Sequence, residues 1–440
     1  MQNDFRSIKI DREKCQGRMA CMRICPTQAI RVRNRKATLL NDRCIDCGMC
    51  VRVCPNNAVV PQTSSFSDFT RFKYTIALPS PVLYSQFRGE FTPGAILNAF
   101  KKIGFDDAYD VACASEAVSI AIQEFLDNST LNQTYISPFC PVIVRLIQIR
   151  YPNLLENLIP IDSPMEIAAR EAKNLKMKET GLNAKEIGVI YITPCPAKMI
   201  AIKNPPRKKY SFVDGAISIA QIYPNLLQAL NQQDTVGAKE VKGIGLGWPI
   251  LGGQVSTLRA HDTIAIAGIM EVIRIFEDLE NGKLKNIKYI ECHSCSTACV
   301  GGSLNVENPY MSRNRVIKLL EKYGNTPCQD RDYVKNLIQK NFFSLPGKID
   351  ATPIAPIDSD ISQALKKMQE KVTIYEKLPK IDCGACGSPD CNTFAEDIIT
   401  NNAEIEDCIF VAMKKFENLS VELIDIVKKH SNKIYRNINI

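Results

Sequence analysis

Residues 44–55 read CIDCGMCVRVCP, which is C-x2-C-x2-C-x3-C-P. No other stretch restricts the fold so tightly. Three thiolates this close together wrap one cubane of iron and sulfide, and the cysteine before the proline reaches a second cluster. Structural zinc pairs two C-x2-C knuckles and does not need three cysteines in one loop ending in Cys-Pro. The chain must therefore turn tightly around metal here.

An earlier copy, CQGRMACMRICP at 15–26, keeps Cys15, Cys21, Cys25 and the proline but has Arg18 at the second ligand position. The duplicated run resembles a two-cluster ferredoxin, an α+β fold of hairpins and short helices. By crossed ligation, Cys44, Cys47, Cys50 and Cys25 make one 4Fe–4S cluster, leaving Cys15, Cys21 and Cys54 as a three-cysteine site. Arginine is cationic and has no lone pair to donate. That site is a 3Fe–4S cluster, a 4Fe–4S cluster with a foreign ligand, or empty, the first two being preferred. Cys383, Cys386, Cys391 and Cys408 give a further C-x2-C-x4-C-x16-C set. Gly384 and Gly387 let the backbone wrap closely there. This spacing resembles the small four-cysteine 4Fe–4S domain of corrinoid iron–sulfur proteins.

Cysteine usage sets the compartment. The chain carries 18 cysteines in 440 residues, and no run approaches a membrane span. Its start, MQNDFRSIKIDREK, has no apolar signal core. The expectation is a reducing, cytoplasmic location, with cysteines as metal ligands rather than disulfides. The formal charge of +8 does not indicate nucleic acid, because cluster thiolates offset it and no nucleic-acid module is visible.

Between the cluster segments, three probable strands each run into a cysteine loop. TYI precedes Cys140, IGVIYIT at 187–193 precedes Cys195, and IKYI at 287–290 precedes ECHSCSTACVGG. Pro141 suits the first position of a helix, which puts Cys140 at the positive end of its dipole. SPME at 163–166 is a helix start capped by Ser163. Ligands gather at the carboxyl ends of strands in α/β sheets, so the predicted class is multidomain α/β with one shared ligand shell.

The three loops, SPFCP (137–141), TPCPAK (193–198) and ECHSCSTACVGG (291–302), resemble those of the iron–iron hydrogenase H-cluster domain. That family's patterns are roughly T-S-C-C-P, M-P-C-x2-K and E-x-M-A-C-x2-G-C-x2-G-G. The arrangement of domains looks most like its sensory branch, often called group D. The implied plan is a two-cluster ferredoxin-like domain at 1–62 and a two-lobed α/β H-cluster domain at 73–345. A linker and helix at 346–373, a small, mainly helical four-cysteine domain at 374–425 and a helical tail at 426–440 follow. The segment 61–72 reads as a linker.

The resemblance implies that Cys140, Cys195, Cys295 and Cys299 hold a 4Fe–4S cubane. It implies that Cys299 bridges the cubane to a diiron unit bearing carbonyl, cyanide and a bridging amine-dithiolate. Lys198 would donate to a cyanide, with Pro194, Phe139 and His293 lining the pocket.

Four departures touch that pocket. Phe139 stands where efficient enzymes carry a proton-passing cysteine, and Ala121 or Ile122 where they carry a relay glutamate. His293 replaces a methionine and Ala298 a glycine. Cys113, Glu116, Cys292 and Glu291 are the candidates for a substitute relay. Cys328 reads as a free thiol, and Trp248 as packing under the glycine-rich loop GLGWPILGG.

The expectation is an iron–iron hydrogenase-like oxidoreductase of low turnover that binds or slowly interconverts hydrogen gas with protons and electrons. Accessory clusters would pass the electrons to a redox partner protein. A sensory role is preferred, with a signalling partner such as a phosphatase implied by the family alone. The alternative is a non-catalytic electron carrier or scaffold without the diiron unit.

Overall fold

The computed structural model describes residues 5–89, 91–130, 133–232, 240–345 and 347–438, with side chains through 430. Packing divides the chain into two compact units. One comprises residues 1–9, 44–52 and 60–353, and the other 10–43, 53–59 and 354–440. These units cut across the linear plan, because the ferredoxin-like segment contributes to both.

The first unit holds strands β1 (Tyr74–Pro79), β2 (Asp107–Ala108), β3 (Tyr135–Ile136), β4 (Ile187–Thr193), β5 (Gly215–Ser218), β6 (Thr263–Ala267) and β7 (Tyr289–His293). They form two parallel sheets, ordered β2-β1-β4-β5 and β6-β7-β3. Two sheets account for the two lobes expected. All seven residues of β4 are buried, as befits a parallel strand covered on both faces. Its side chains alternate between two cores. Ile187, Val189 and Tyr191 join Ile76 and Leu78 of β1 on one face. Ile190 and Ile192 join Ala77 and Ile217 on the other. The β1–β4 register, Ile76 opposite Val189 and Leu78 opposite Tyr191, keeps each set on its own side.

Helices cover these sheets: α1 (Val111–Asn128), α2 (Pro141–Arg150), α3 (Pro164–Thr180) and α4 (Ala197–Lys203). The start of α3 is as read, with Ser163 Oγ accepting from the Glu166 amide at 3.4 Å and Pro164 in the first turn. The segment 61–72 is more than a linker. Its Phe66–Phe69 turn buries Phe69, whose ring fills the space a Cβ on Gly215 would need.

The second unit contains the antiparallel hairpin Ile30–Arg33 with Lys36–Leu39, and helices α5 (Ile361–Lys377), α6 (Cys391–Ile399) and α7 (Ile409–Ile438). The hairpin seats the four-cysteine loop. Val32 N donates to Gly387 O at 2.9 Å. A Cβ on Gly387, at φ +84°, would lie 1.8 Å from Val32 O, so only glycine fits. Asp397 of α6 accepts from Arg31 Nε at 2.6 Å, Arg33 at 3.1 Å and Ser388 Oγ at 2.5 Å, all largely shielded from water. Arg43 pairs with Glu396 on the same helix. Among the described residues no helix is long and apolar enough to cross a membrane.

Candidate metal centres

The H-cluster-like loops sit at the carboxyl ends of three strands of the first unit. Cys140 is the residue before α2, directly after β3. Cys195 follows β4, held by Thr193, whose Oγ1 accepts from Cys195 N at 3.3 Å and donates to Cys195 O at 2.8 Å. Cys295 and Cys299 follow β7. Gly302 lets this loop press against the Cys195 loop, since a Cβ there would lie 2.3 Å from Pro194 O.

The four sulfurs lie close enough to raise one another's thiols. Burial pushes the Cys195 thiol up, and the neighbouring Cys140 adds to this. Cys295 is pushed up to about 12 by burial, then by Cys195 and Cys140. Cys299 is raised well above the usual thiol range by burial, then by the other three cysteines. Lys198 pulls Cys195 and Cys299 the other way. Thiols that feel one another this strongly lose their protons when a metal takes the charge. Four half-buried cysteines from three loops are a donor set that a cubane could use.

Around them, Lys198 Nζ donates to Phe139 O at 3.0 Å. Both residues line a cavity of about 120 Å³ with Pro138, Pro141 and Met165. The Phe139 ring packs on Trp248 at 5.3 Å between centroids. Trp248 Nε1 donates to Ser119 Oγ of α1 at 2.9 Å. Ala298 holds φ +58°, the left-handed conformation its glycine counterpart adopts freely.

Three of the four relay candidates have other duties. Cys113 is paired with Cys328 in a disulfide, which corrects both its reading as a relay and that of Cys328 as a free thiol. The carboxylate of Glu116 accepts from the amides of Cys328 at 3.0 Å, Ile244 at 3.1 Å and Gln329 at 3.4 Å, so it serves as a backbone clamp. Glu291, fully buried, accepts from the amides of Gly252, Gln254 and Val255. It also meets His293 Nε2 at 2.8 Å, which fixes the imidazole with Nδ1 3.9 Å from Cys299 Sγ. His293 thus lies beside Cys299. Cys292 is buried near Cys140, and burial raises its thiol far above the usual range.

The second cysteine run docks on the same loops. Gly48, between Cys47 and Cys50, has φ +75°. A Cβ there would come within 2.3 Å of Ser303 Oγ and 2.9 Å of Pro196 Cγ. Arg52 donates to Gly301 O at 2.7 Å and Gly302 O at 3.1 Å. Cys44, Cys47 and Cys50 therefore lie in the unit of the H-cluster-like site, and Cys25 in the other.

In the second unit, Cys15, Cys21, Cys54 and Arg18 line one small cavity. The Cys21 thiol rises to about 11 through burial, then through Cys54 and Cys15. Backbone N–H groups reach the sulfurs, Ala37 to Cys15 and Ala58 to Cys54, both at 3.3 Å. Such N–H···S bonds tune cluster potentials. In the C-terminal set, burial raises the Cys386 thiol, with Cys408 and Cys383 contributing, and burial also raises Cys391.

A fold with two parallel sheets, converging cysteine loops and two further cysteine sets defines an iron–sulfur protein. The comparisons agree. Residues 73–234 match the iron only hydrogenase large subunit, C-terminal domain; 7–55 match a 4Fe-4S dicluster domain; and 378–410 match an Fe-S cluster domain. Residues 73–234 thus resemble the iron only hydrogenase large subunit, between two iron–sulfur domains. It is 25% identical over 234 residues to iron hydrogenase 1 of Clostridium pasteurianum, covering 46% of this chain and 40% of that one. It is 25% identical over 227 residues to the periplasmic iron hydrogenase large subunit of Nitratidesulfovibrio vulgaris, covering 47% and 54% respectively. The matches thus span about half the length of these relatives. A solved structure of a variant of the hydrogenase HydA1 from Chlamydomonas reinhardtii aligns over 66% of this chain and 98% of that one, at 13% identity and TM-score 0.48.

Proposed function

We propose that this protein binds hydrogen gas and interconverts it slowly with protons and electrons. The observation that carries this is the convergence of Cys140, Cys195, Cys295 and Cys299 beside Lys198, with the Cys44–Cys50 loop docked against the same backbone. The four thiolates would hold a 4Fe–4S cubane. Lys198, whose Nζ reaches the Phe139 carbonyl, would donate to a diatomic ligand of a diiron unit. That unit, when bound, supplies the hydrogen chemistry. The chain's own residues orient it, keep water out and accept electrons through the docked loop.

Phe139 sets the rate. A phenyl ring has no proton to pass, and its packing on Trp248 closes the route a cysteine would open. General acid–base transfer contributes about 10²–10⁴ in rate, so turnover is slow and a sensory role with a signalling partner suits the chain better than bulk catalysis. Cys15, Cys21 and Cys54 would carry a 3Fe–4S cluster or a 4Fe–4S cluster with a foreign ligand, within a ferredoxin-like domain at 1–62 that precedes an H-cluster domain at 73–345 and a four-cysteine domain at 374–425. Hydrogen-dependent reduction of the accessory clusters, read by EPR after loading with a synthetic diiron precursor, tests it. Loaded protein whose clusters stay oxidised under hydrogen contradicts it.

A second reading, an electron carrier with the cubane alone, is favoured by the bulk of Phe139 and by the strained Ala298 next to the bridging Cys299.

A further inference from the structure

The one bonded cysteine pair among the described residues stands apart from every cluster site. Cys113, on α1, and Cys328, before helix Arg331–Gln339, are joined with Cα atoms 5.4 Å apart and 215 residues between them in sequence. Of the other sixteen cysteines, fifteen belong to the proposed cluster ligand sets. Clusters of this kind are assembled on thiolates and need reducing conditions. A disulfide in such a chain is the exception, and in reducing compartments such bonds are typically transient and redox-sensing.

The surroundings suit exchange. Both cysteines are half-buried. Cys328 lines two cavities, of about 660 and 430 Å³, and Cys113 lines the second. A small thiol can therefore approach the bond without unfolding the sheet. The pair is also mechanically connected to the candidate site. Glu116, one turn along α1 from Cys113, grips the amides of Cys328, Gln329 and Ile244. The backbone beyond Ile244 lies so close to α1 that a Cβ on Gly245 would sit 2.0 Å from Ala112 O. This close-packed segment runs on to Trp248, which is hydrogen-bonded to Ser119 of α1 and packed at a tilt on Phe139, next to Cys140.

We propose that Cys113 and Cys328 form a reversible thiol–disulfide switch that sets the packing of Trp248 on Phe139. Reduction runs by exchange. A thiolate of a dithiol reductant attacks one sulfur, forming a mixed disulfide and releasing the other cysteine as a thiolate, which takes a proton from water. The reductant's second thiol then displaces the remaining cysteine. The pair gains two electrons and two protons, and the reductant leaves as its own disulfide. A disulfide oxidant of the glutathione class reverses this, consuming one oxidant disulfide and releasing two thiols.

The test uses the cluster-loaded full chain, anaerobically equilibrated with reduced and oxidised dithiothreitol at graded ratios. Alkylation with N-ethylmaleimide and peptide mass spectrometry then score Cys113 and Cys328. Because Trp248 is the single tryptophan, its emission reports the coupling. Cys113→Ser and Cys328→Ser subtract any signal from the clusters. The proposal expects both cysteines to become alkylated together in one two-electron transition. Trp248 emission should shift at the same ratio, with no shift in either variant. Independent alkylation, or a bond that stays closed at every ratio, overturns the switch. Joint alkylation with unmoved emission overturns the coupling. If the serine variants do not fold, alkylation and emission of the unmodified chain still decide both points. None of these readouts requires hydrogen turnover, so failure here is distinguishable from failure of the hydrogen reading.

Discussion

At the scale of single residues, the proposed slow turnover rests on position 139. Its ring is buried against Trp248 and its carbonyl is held by Lys198. Phe139→Cys should raise hydrogen evolution from reduced viologen several-fold in protein shown to carry the diiron unit. An unchanged rate in such protein would mean that proton transfer is not what limits it. Ala298 offers a second test. Its φ of +58° carries a penalty of roughly 1–2 kcal/mol for a residue with a Cβ. Ala298→Gly should therefore stabilise the first unit by about 1 kcal/mol in denaturant unfolding, and a loss of stability would show that the alanine methyl packs better than glycine freedom compensates. The cysteine runs at 15–54 and 383–408 stand out in the sequence because their spacing is local. The duties of Cys113, Glu116 and Glu291 could not. Each is set by partners far along the chain, such as Cys328 for Cys113 and the 252–255 amides for Glu291.

At the scale of elements, the strand runs before the cysteine loops were legible because a buried parallel strand is a continuous β-branched stretch, as IGVIYIT is. The capped start of α3 was legible for the same local reason. The seating of the C-terminal cysteine loop was not. Arg31 and Asp397 are separated by 366 residues, and neither has a local signature. Removing one partner of a buried ion pair is costly, about 3–5 kcal/mol. Asp397→Ala should lower the stability of the second unit by about that amount and loosen the Cys383–Cys408 cluster, read as faster iron loss to a chelator. Iron loss at the native rate would mean that the hairpin does not hold this loop. In the same unit, Arg18→Cys should add a fourth thiolate to Cys15, Cys21 and Cys54. The expected result is one more iron per chain, or replacement of a 3Fe–4S EPR signal by that of an ordinary cubane. Identical iron content and spectra in both proteins would rule out Arg18 as the missing ligand position.

For the whole molecule, the sequence is laid out as ferredoxin, H-cluster-like and four-cysteine segments, whereas packing regroups them. The Cys44–Arg52 loop belongs with the two-sheet unit, and the 10–43 hairpin region belongs with the C-terminal helices. Composition and spacing carry no record of that exchange, because it depends on close approaches such as Gly48 to Ser303 and Gly387 to Val32. The first unit therefore holds Cys44, Cys47 and Cys50 with Cys140, Cys195, Cys295 and Cys299, and the second holds Cys15, Cys21, Cys25 and Cys54 with the C-terminal four. The central claim is that Cys140, Cys195, Cys295 and Cys299 with Lys198 complete a hydrogen-active site. Infrared spectroscopy of the anaerobically reconstituted chain, loaded with a synthetic diiron precursor, tests it most directly. The account predicts sharp carbonyl and cyanide bands that shift under hydrogen, with the cyanide bands displaced in Lys198→Ala. Intact cubane EPR signals without any such bands would contradict it and leave an electron carrier on a hydrogenase fold.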